Sequence, residues 1–148
     1  MLIRFVFVIY FRKFEYLLIK MNRKIILLAA VLGLTAIVFG AFGAHALKTV
    51  LDENQLISFE TGVRYQMYHA LFLLFLGTTN FVEEKTKKII FYLVLTGVLF
   101  FSGSIYFLAT NHLTSFDLTF LGPITPIGGL SLIGAWTILF LNIFNQKG

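Results

Sequence analysis

Residues 25–47, IILLAAVLGLTAIVFGAFGAHAL, form an uninterrupted stretch without Asp, Glu, Lys or Arg. A hydrocarbon core of about 30 Å needs roughly 20 helical residues, so this stretch is long enough to cross a bilayer as one helix. Three further stretches lack these charged residues, at 65–82, 89–112 and 118–146. The pattern predicts four transmembrane helices, over about 25–44, 65–81, 89–109 and 124–143.

The composition excludes an ordinary water-soluble domain. Of the 148 residues, 58% are hydrophobic and 13% are charged, whereas a soluble domain carries about 25% charged residues. The net charge is +5, but the basic residues flank the apolar stretches, so nucleic acid is not an expected partner. The chain has no cysteine, which excludes disulfides and thiol catalysis. The expected surroundings are the lipid bilayer.

Positive charges are distributed unequally between the two sides of the predicted spans. Ten of them flank the first span on its amino-terminal side, the connection between spans two and three, or the carboxyl terminus: Arg4, Arg12, Lys13, Lys20, Arg23, Lys24, Lys85, Lys87, Lys88 and Lys147. Only Lys48 and Arg64 fall on the opposite side. The positive-inside rule therefore predicts a multi-pass protein of the cytoplasmic (inner) membrane with both termini in the cytoplasm.

The first 20 residues, MLIRFVFVIYFRKFEYLLIK, are aromatic but are interrupted by Arg12, Lys13 and Glu15. We interpret residues 1–20 as an upstream extension or an interfacial helix, followed by a single membrane domain over residues 21–148. Residues 44–46, Ala-His-Ala, resemble a signal-peptide cleavage site. The preceding apolar run is longer than the roughly 7–15 residues of a signal core, so we expect an uncleaved first span.

The segment before the second span has a helical apolar stripe. In LDENQLISFETGVRYQMYHAL, residues 51–71, apolar side chains recur at three- and four-residue spacing: Leu56, Phe59, Val63, Met67 and Ala70. This pattern predicts an amphipathic helix at the outer interface, which then turns into span two. Ser58 is its predicted N-cap, and Glu60 and Arg64 are a predicted ion pair. The fold class is an all-α integral membrane four-helix bundle with short loops and this interfacial helix.

Small residues recur along one face of span one: Ala29, Gly33, Ala36, Gly40 and Ala44. Such a face permits close helix packing, against either an internal helix or another protomer. Span four opens with GPITPIGGLSLIGAW, residues 122–136, in which Pro123 and Pro126 fit a first helical turn. Together with Gly128 and Gly129 they predict a helix-breaking segment, either a broken helix at a binding site or a re-entrant turn. Trp136 is assigned to packing between helices.

Five polar side chains map to the outer half of the predicted protein and form a candidate polar cluster: His45, Glu60, Arg64, Tyr65 and His69. An ionisable residue inside a span is a functional hypothesis by default, which singles out His69. The alternative is that neutral His69 joins two helices by a hydrogen bond to one of three residues of the third span: Ser102, Ser104 or Tyr106. A zinc site from His45, Glu60 and His69 lacks a recognisable ligand spacing, so neither a metal nor a cofactor is expected.

Familiar catalytic motifs do not occur in the sequence, so enzymatic activity is not expected. The sole candidate pair of nucleophile and base is Ser102 or Ser104 with His69. The leading hypothesis is an accessory or scaffold protein that packs as a homo-oligomer or within a larger membrane complex. The alternative is a small transporter or channel-like protein in which the polar cluster lines an outward-facing cavity.

Four motifs carry a resemblance to a known family: GAFGAHAL at 40–47, FETGVRYQMYHAL at 59–71, LFFSGSIY at 99–106 and GPITPIGGLSLIGAW at 122–136. In this order they resemble the bacterial membrane family called domain of unknown function 423. The similarity covers residues 21 to about 142 and implies a four-helix inner-membrane protein. It implies no reaction. The extension before Met21 departs from this compact family, which leaves Met1 and Met21 as alternative starts of translation.

Overall fold

The computed structural model describes the backbone of residues 2–146 and the side chains of residues 21–146. Four long helices make up this part: α1 (Leu2–His45), α2 (Glu53–Thr78), α3 (Glu84–Ala109) and α4 (Ile124–Phe144). Short 3₁₀ helices occupy the connections at Leu47–Thr49, Asn111–Leu113 and Thr119–Leu121. The prediction of an all-α membrane bundle is confirmed. The side chains of residues 1–20, which we interpret as an upstream extension or an interfacial helix, lie outside the described residues.

Within residues 21–146, three segments are long and apolar enough to cross a membrane: Met21–Thr49, Glu84–Ala109 and Thr119–Phe144. Helix α2 does not belong to this set, because Arg64, Gln66 and His69 lower the mean hydropathy of its central part. Large apolar side chains cover the outside of the bundle, and Leu34 and Leu130 are 64% and 68% exposed. Such a surface is suited to lipid and not to water.

A capping box at Asp52 begins α2. The Asp52 carboxylate accepts a hydrogen bond from the Gln55 amide at 2.9 Å, and the Gln55 side chain accepts one from the Asp52 amide at 3.0 Å. The predicted cap at Ser58 is therefore wrong, because residues 53–57 already continue the helix. The predicted interfacial helix and span two form one continuous helix. Arg64 donates to the Thr61 hydroxyl at 3.0 Å and not to Glu60.

Sequential helices pack as neighbours, as their short connections predict. Helix α1 lies beside α2 and α4 beside α3, while α2 and α3 contact each other in the centre. We call the end with the α1–α2 and α3–α4 connections the outer end, and the opposite end the inner end, after the predicted topology. A large apolar cluster around Leu73, Ile90 and Leu132 fills the inner half, and a smaller one around Leu47 and Phe59 closes the outer end.

The small-residue face of α1 packs on α2. A Cβ atom added at Gly33 would lie 3.8 Å from the Ala70 Cβ, and one at Gly40 would lie 3.5 Å from a Val63 methyl group. The partner that the sequence left open is therefore internal. Ala44, the last predicted member of the face, is exposed.

The first turn of α4 contains the two prolines. Pro123 is the N-cap and Pro126 the third helical residue, so their predicted place in a first turn is confirmed. The prediction that Pro123, Pro126, Gly128 and Gly129 break the helix is wrong, because α4 is continuous over Ile124–Phe144. Gly128 is buried against the backbone of Phe101 in α3. Gly128 thus serves the close approach of two helices.

Polar contacts order the outer connections. His112 lies 3.1 Å from the Gln55 side-chain nitrogen and 3.2 Å from the Val50 carbonyl oxygen, which ties the two outer connections together. Asp117 accepts hydrogen bonds from the amide and the hydroxyl of Thr119 at 3.0 and 2.7 Å. These bonds stabilise the carboxylate and hold the pKa of Asp117 below its usual range.

Candidate functional site

The members of the predicted polar cluster do not share one environment, although the rings of Tyr65 and His69 stack with centroids 6.5 Å apart. His69 is buried, whereas the other four members are exposed: His45, Glu60, Arg64 and Tyr65. Within residues 21–146, no group of three His, Asp or Glu side chains is placed to hold a metal ion. The combination of His45, Glu60 and His69 that was weighed for zinc is therefore not assembled. The five side chains do not form a shared buried site.

His69 joins α2 to α4. Its Nδ1 lies 2.7 Å from the carbonyl oxygen of Tyr65, and its Nε2 accepts a hydrogen bond from the Trp136 indole at 3.4 Å. These partners require the neutral imidazole with the proton on Nδ1. Trp136 also packs on Phe72, with ring centroids 4.3 Å apart, which agrees with its assignment to helix packing. The structure thus gives His69 an interhelical partner other than Ser102, Ser104 or Tyr106.

The polar residues of the third span have other partners. The Ser104 hydroxyl lies 2.6 Å from the Thr125 hydroxyl of α4. Ser102 is fully buried, and its hydroxyl has no hydrogen-bond partner among the described residues. Neither serine pairs with His69, so the candidate pair of nucleophile and base is not formed.

Gln66 connects three helices, and the sequence analysis did not single it out. Its side-chain nitrogen donates to the Leu32 carbonyl at 2.9 Å and to the Thr35 hydroxyl at 2.7 Å, both in α1. Its side-chain oxygen accepts from the Tyr106 hydroxyl of α3 at 2.9 Å. The amide is 4% exposed, and both of its N–H groups and its oxygen are paired. The signal available in the sequence was a polar amide inside the predicted span 65–81.

Replacing Gln66 by Met keeps the side-chain length and removes the amide. We expect the free energy of unfolding to fall by about 2 kcal/mol, because interhelical hydrogen bonds in membranes average about 0.6 kcal/mol and Tyr106 also loses its partner. Unfolding by SDS in mixed micelles measures the change. Tyr106→Phe removes one of the same bonds, so the double variant should lose less than the sum of the single losses. Additive losses would contradict the coupling.

Lys87 connects the same three helices at the inner end. Its ammonium group donates to the Asn22 side-chain oxygen at 2.9 Å and to the carbonyl oxygen of Thr79. Thr79 is the C-cap of α2, so the positive charge lies at the negative end of that helix dipole. Lys87 is 2% exposed. The sequence analysis counted it among the charges that report topology, and charge alone does not distinguish it from its exposed neighbours.

A lateral groove lies between α1 and α3, with α2 as its floor. Its volume is about 480 Å³ and its walls are mainly apolar, from Leu32 to Phe42 on α1 and from Val98 on α3 to its C-cap Thr110. Gly103 lies in the α3 wall. Among the glycines of residues 21–146, Gly103 alone has no atom within 4 Å of an added Cβ. The groove is therefore open space beside a small residue.

Residues 39–129 match the family described as "Protein of unknown function (DUF423)". The UPF0382 membrane protein SH2409 of Staphylococcus haemolyticus is 37% identical over 123 residues, which are 83% of this chain and 97% of that protein. The chain belongs to this family. Another relative is the UPF0382 membrane protein YwdK of Bacillus subtilis, which is 36% identical over 77% of this chain and 90% of its own length.

The UPF0382 inner membrane protein YgdD of Escherichia coli is 30% identical over 130 residues, which are 85% of this chain and 93% of that protein. The resemblance to the DUF423 family that the four motifs indicated is confirmed. These relatives are named as membrane proteins, which agrees with the membrane bundle of this chain. No solved structure was found that matches this chain.

Proposed function

We propose that this DUF423 protein is a non-enzymatic accessory protein of the bacterial inner membrane, which binds a hydrophobic membrane component in the groove between α1 and α3. The observation that carries the proposal is the open apolar groove beside Gly103. The small-residue face of α1, which the sequence offered for association, is occupied by α2. The groove, and not the small-residue face of α1, is therefore the proposed interaction surface.

The interior of the bundle supports a binding role over the transporter alternative. A transporter of the kind considered above would gather the polar cluster around one cavity. Gln66 and His69 instead bond to neighbouring helices, and Glu60 and Arg64 lie exposed. Paired interior groups favour a rigid bundle that presents a surface.

We also propose that α2 is a fourth crossing and that both termini are cytoplasmic. Helix α2 has 26 residues, which span about 39 Å and exceed a hydrocarbon core of about 30 Å. Its Gln66 and His69 are buried and hydrogen-bonded, so an average hydropathy understates how well α2 suits the membrane. The excess of basic residues near the inner end supports the orientation.

Cysteine labelling tests this topology in a chain without native cysteine. Single cysteines replacing Asn54 and Ser115, both exposed at the outer end, should react with an impermeant thiol reagent on intact cells. A cysteine at Asn80, exposed at the inner end, should react only after permeabilisation. Labelling at Asn80 and Asn54 together would indicate that α2 does not cross, and fully reversed labelling would overturn the orientation.

Photo-crosslinking in the native membrane tests the binding role. A diazirine analogue of leucine at Leu99, which is 60% exposed in the groove wall, should give a discrete covalent adduct. The matched control is the same analogue at Leu130, which is 68% exposed on α4 and lies outside the groove. Leu130 should give only diffuse reaction with surrounding lipid. No discrete adduct at Leu99, with either lipid or protein, would overturn the proposed function.

A further inference from the structure

The depth of Arg64 in the membrane follows from the register of the helices. Lys87 bonds to Asn22 and to Thr79, so these three residues mark one level at the inner end. Lys88 is exposed beside them, so the hydrocarbon begins near this level. Arg64 precedes Thr79 by 15 residues of continuous helix, which rise about 22 Å. In a core of about 30 Å, the Cα atom of Arg64 therefore lies about 8 Å beneath the outer boundary.

The Arg64 side chain points from this depth toward the outer surface. Helical side chains lean toward the amino terminus of their helix, which for α2 is the outer end. The guanidinium donates to the Thr61 hydroxyl at 3.0 Å, nearly one turn closer to that end. Thr61 donates its own proton to the Ile57 carbonyl at 2.9 Å, which leaves its oxygen free to accept. The charge thus lies just beneath the boundary where lipid glycerol and phosphate groups begin.

The guanidinium needs an acceptor that its neighbours do not supply. It carries several N–H groups, and the Thr61 hydroxyl is its one hydrogen-bond partner among residues 21–146. Glu60, one turn away on α2, is exposed and does not accept from it. Arg64 is itself exposed on the side of the bundle, so its free donors face the lipid. A charge at this depth is costly unless it is paired.

Two tyrosine rings extend the same face of α2 toward the middle of the membrane. Tyr65 and Tyr68 are 42% and 56% exposed, and their ring centroids lie 6.0 Å apart. Thr61, Arg64, Tyr65 and Tyr68 recur at three- and four-residue spacing, which places them on one side of the helix. This side offers charged donors at the level of the headgroups and aromatic surface at the level of the acyl chains.

A phosphate group meets these requirements. Guanidinium groups bind phosphate oxygens through two parallel charge-assisted hydrogen bonds. The phosphates of the outer leaflet are anions that reach this depth, whereas a soluble anion would have to leave water to do so. We infer that Arg64, positioned by Thr61, binds the phosphate of an outer-leaflet phospholipid whose acyl chain lies along Tyr65 and Tyr68. This inference rests on the proposed crossing of α2 and is independent of the groove.

Lipid binding to the purified full chain, measured by native mass spectrometry from detergent micelles, tests the inference. The two probes are a phosphatidylglycerol and the diacylglycerol with the same acyl chains, which lacks the phosphate. We expect saturable binding of one phosphatidylglycerol, at least about tenfold tighter than binding of the diacylglycerol. Arg64→Gln should raise the phosphatidylglycerol Kd at least about tenfold. The matched control is Lys48→Gln, which removes an exposed charge at the same end and should change the Kd less than about threefold.

Three results would overturn the inference: equal binding of the two lipids, equal phosphatidylglycerol binding by wild-type protein and Arg64→Gln, or equal weakening by Arg64→Gln and Lys48→Gln. Displacement of the phosphatidylglycerol by millimolar inorganic phosphate would identify a site for soluble phosphate and would overturn the lipid as its occupant. Unfolding by SDS checks that Arg64→Gln folds. If it does not, the comparison of the two lipids on wild-type protein still decides.

The cysteine labelling described above separates this inference from the crossing on which it rests. Labelling at Asn80 and Asn54 together on intact cells would remove the crossing of α2, and the binding of an outer-leaflet phosphate by Arg64 with it. Protected Asn80 combined with equal binding of the two lipids would leave the crossing standing and remove the phosphate site alone.

Discussion

Gly128→Ala is expected to lower the free energy of unfolding by about 3 kcal/mol, at the upper end of overpacking costs. The added Cβ would meet the amide nitrogen of Phe101 and lie 2.7 Å from the carbonyl carbon of Phe100. These are backbone atoms of α3, which cannot rotate away as a side chain does. Helices α3 and α4 would have to separate, which would also loosen Leu132 in the large apolar cluster.

The adjacent glycine provides the control for this substitution. A Cβ at Gly129 would lie 3.6 Å from the Phe101 ring, an ordinary contact, so Gly129→Ala should be neutral or stabilise by up to about 1 kcal/mol through helix propensity. Unfolding by SDS can be followed by the fluorescence of Trp136, the only tryptophan of the chain. Similar losses in both variants would contradict the close crossing at Gly128.

The single substitution Lys87→Met is expected to lower the free energy of unfolding by about 3 kcal/mol. Methionine keeps the apolar stem but leaves the Asn22 side chain and the Thr79 carbonyl oxygen without their donor. It also removes the positive charge from the carboxyl end of α2. The two charged hydrogen bonds contribute about 1.5–3 kcal/mol each and the dipole interaction adds to them, but removing the buried ammonium group also removes its desolvation cost, which offsets part of the loss.

Lys88→Met is the matched control, because it removes the same charge from the next residue, which is exposed. It should change the free energy of unfolding by less than about 0.5 kcal/mol. Asn22→Ala combined with Lys87→Met should lose less than the sum of the two single losses, since both remove one bond. Equal effects of Lys87→Met and Lys88→Met would indicate a general charge effect and contradict the specific contacts at the inner end.

The positions of the helices were predictable from the sequence for a local reason. The bilayer demands long apolar runs, and each helix satisfies its backbone hydrogen bonds within itself. The predicted spans at 89–109 and 124–143 accordingly coincide closely with α3 and α4. The four sequence motifs were sufficient to identify the DUF423 family. Errors occurred at helix starts and interruptions, where Asp52 replaced Ser58 as a cap and α4 continued through its glycines.

Only the tertiary structure decided which side chains meet. His69 contacts Trp136 and not the third span, Gln66 joins three helices, and Gly128 lies against backbone. These partners depend on how each helix rotates about its axis and where it crosses its neighbour, which apolar stretches in lipid leave undetermined. The groove beside Gly103 is likewise lined by residues of α1, α2 and α3 that are far apart in the chain. The sequence by itself determined where the helices lie and that the protein belongs in a membrane, because both follow from local composition. The candidate site depends instead on contacts between residues far apart in the chain.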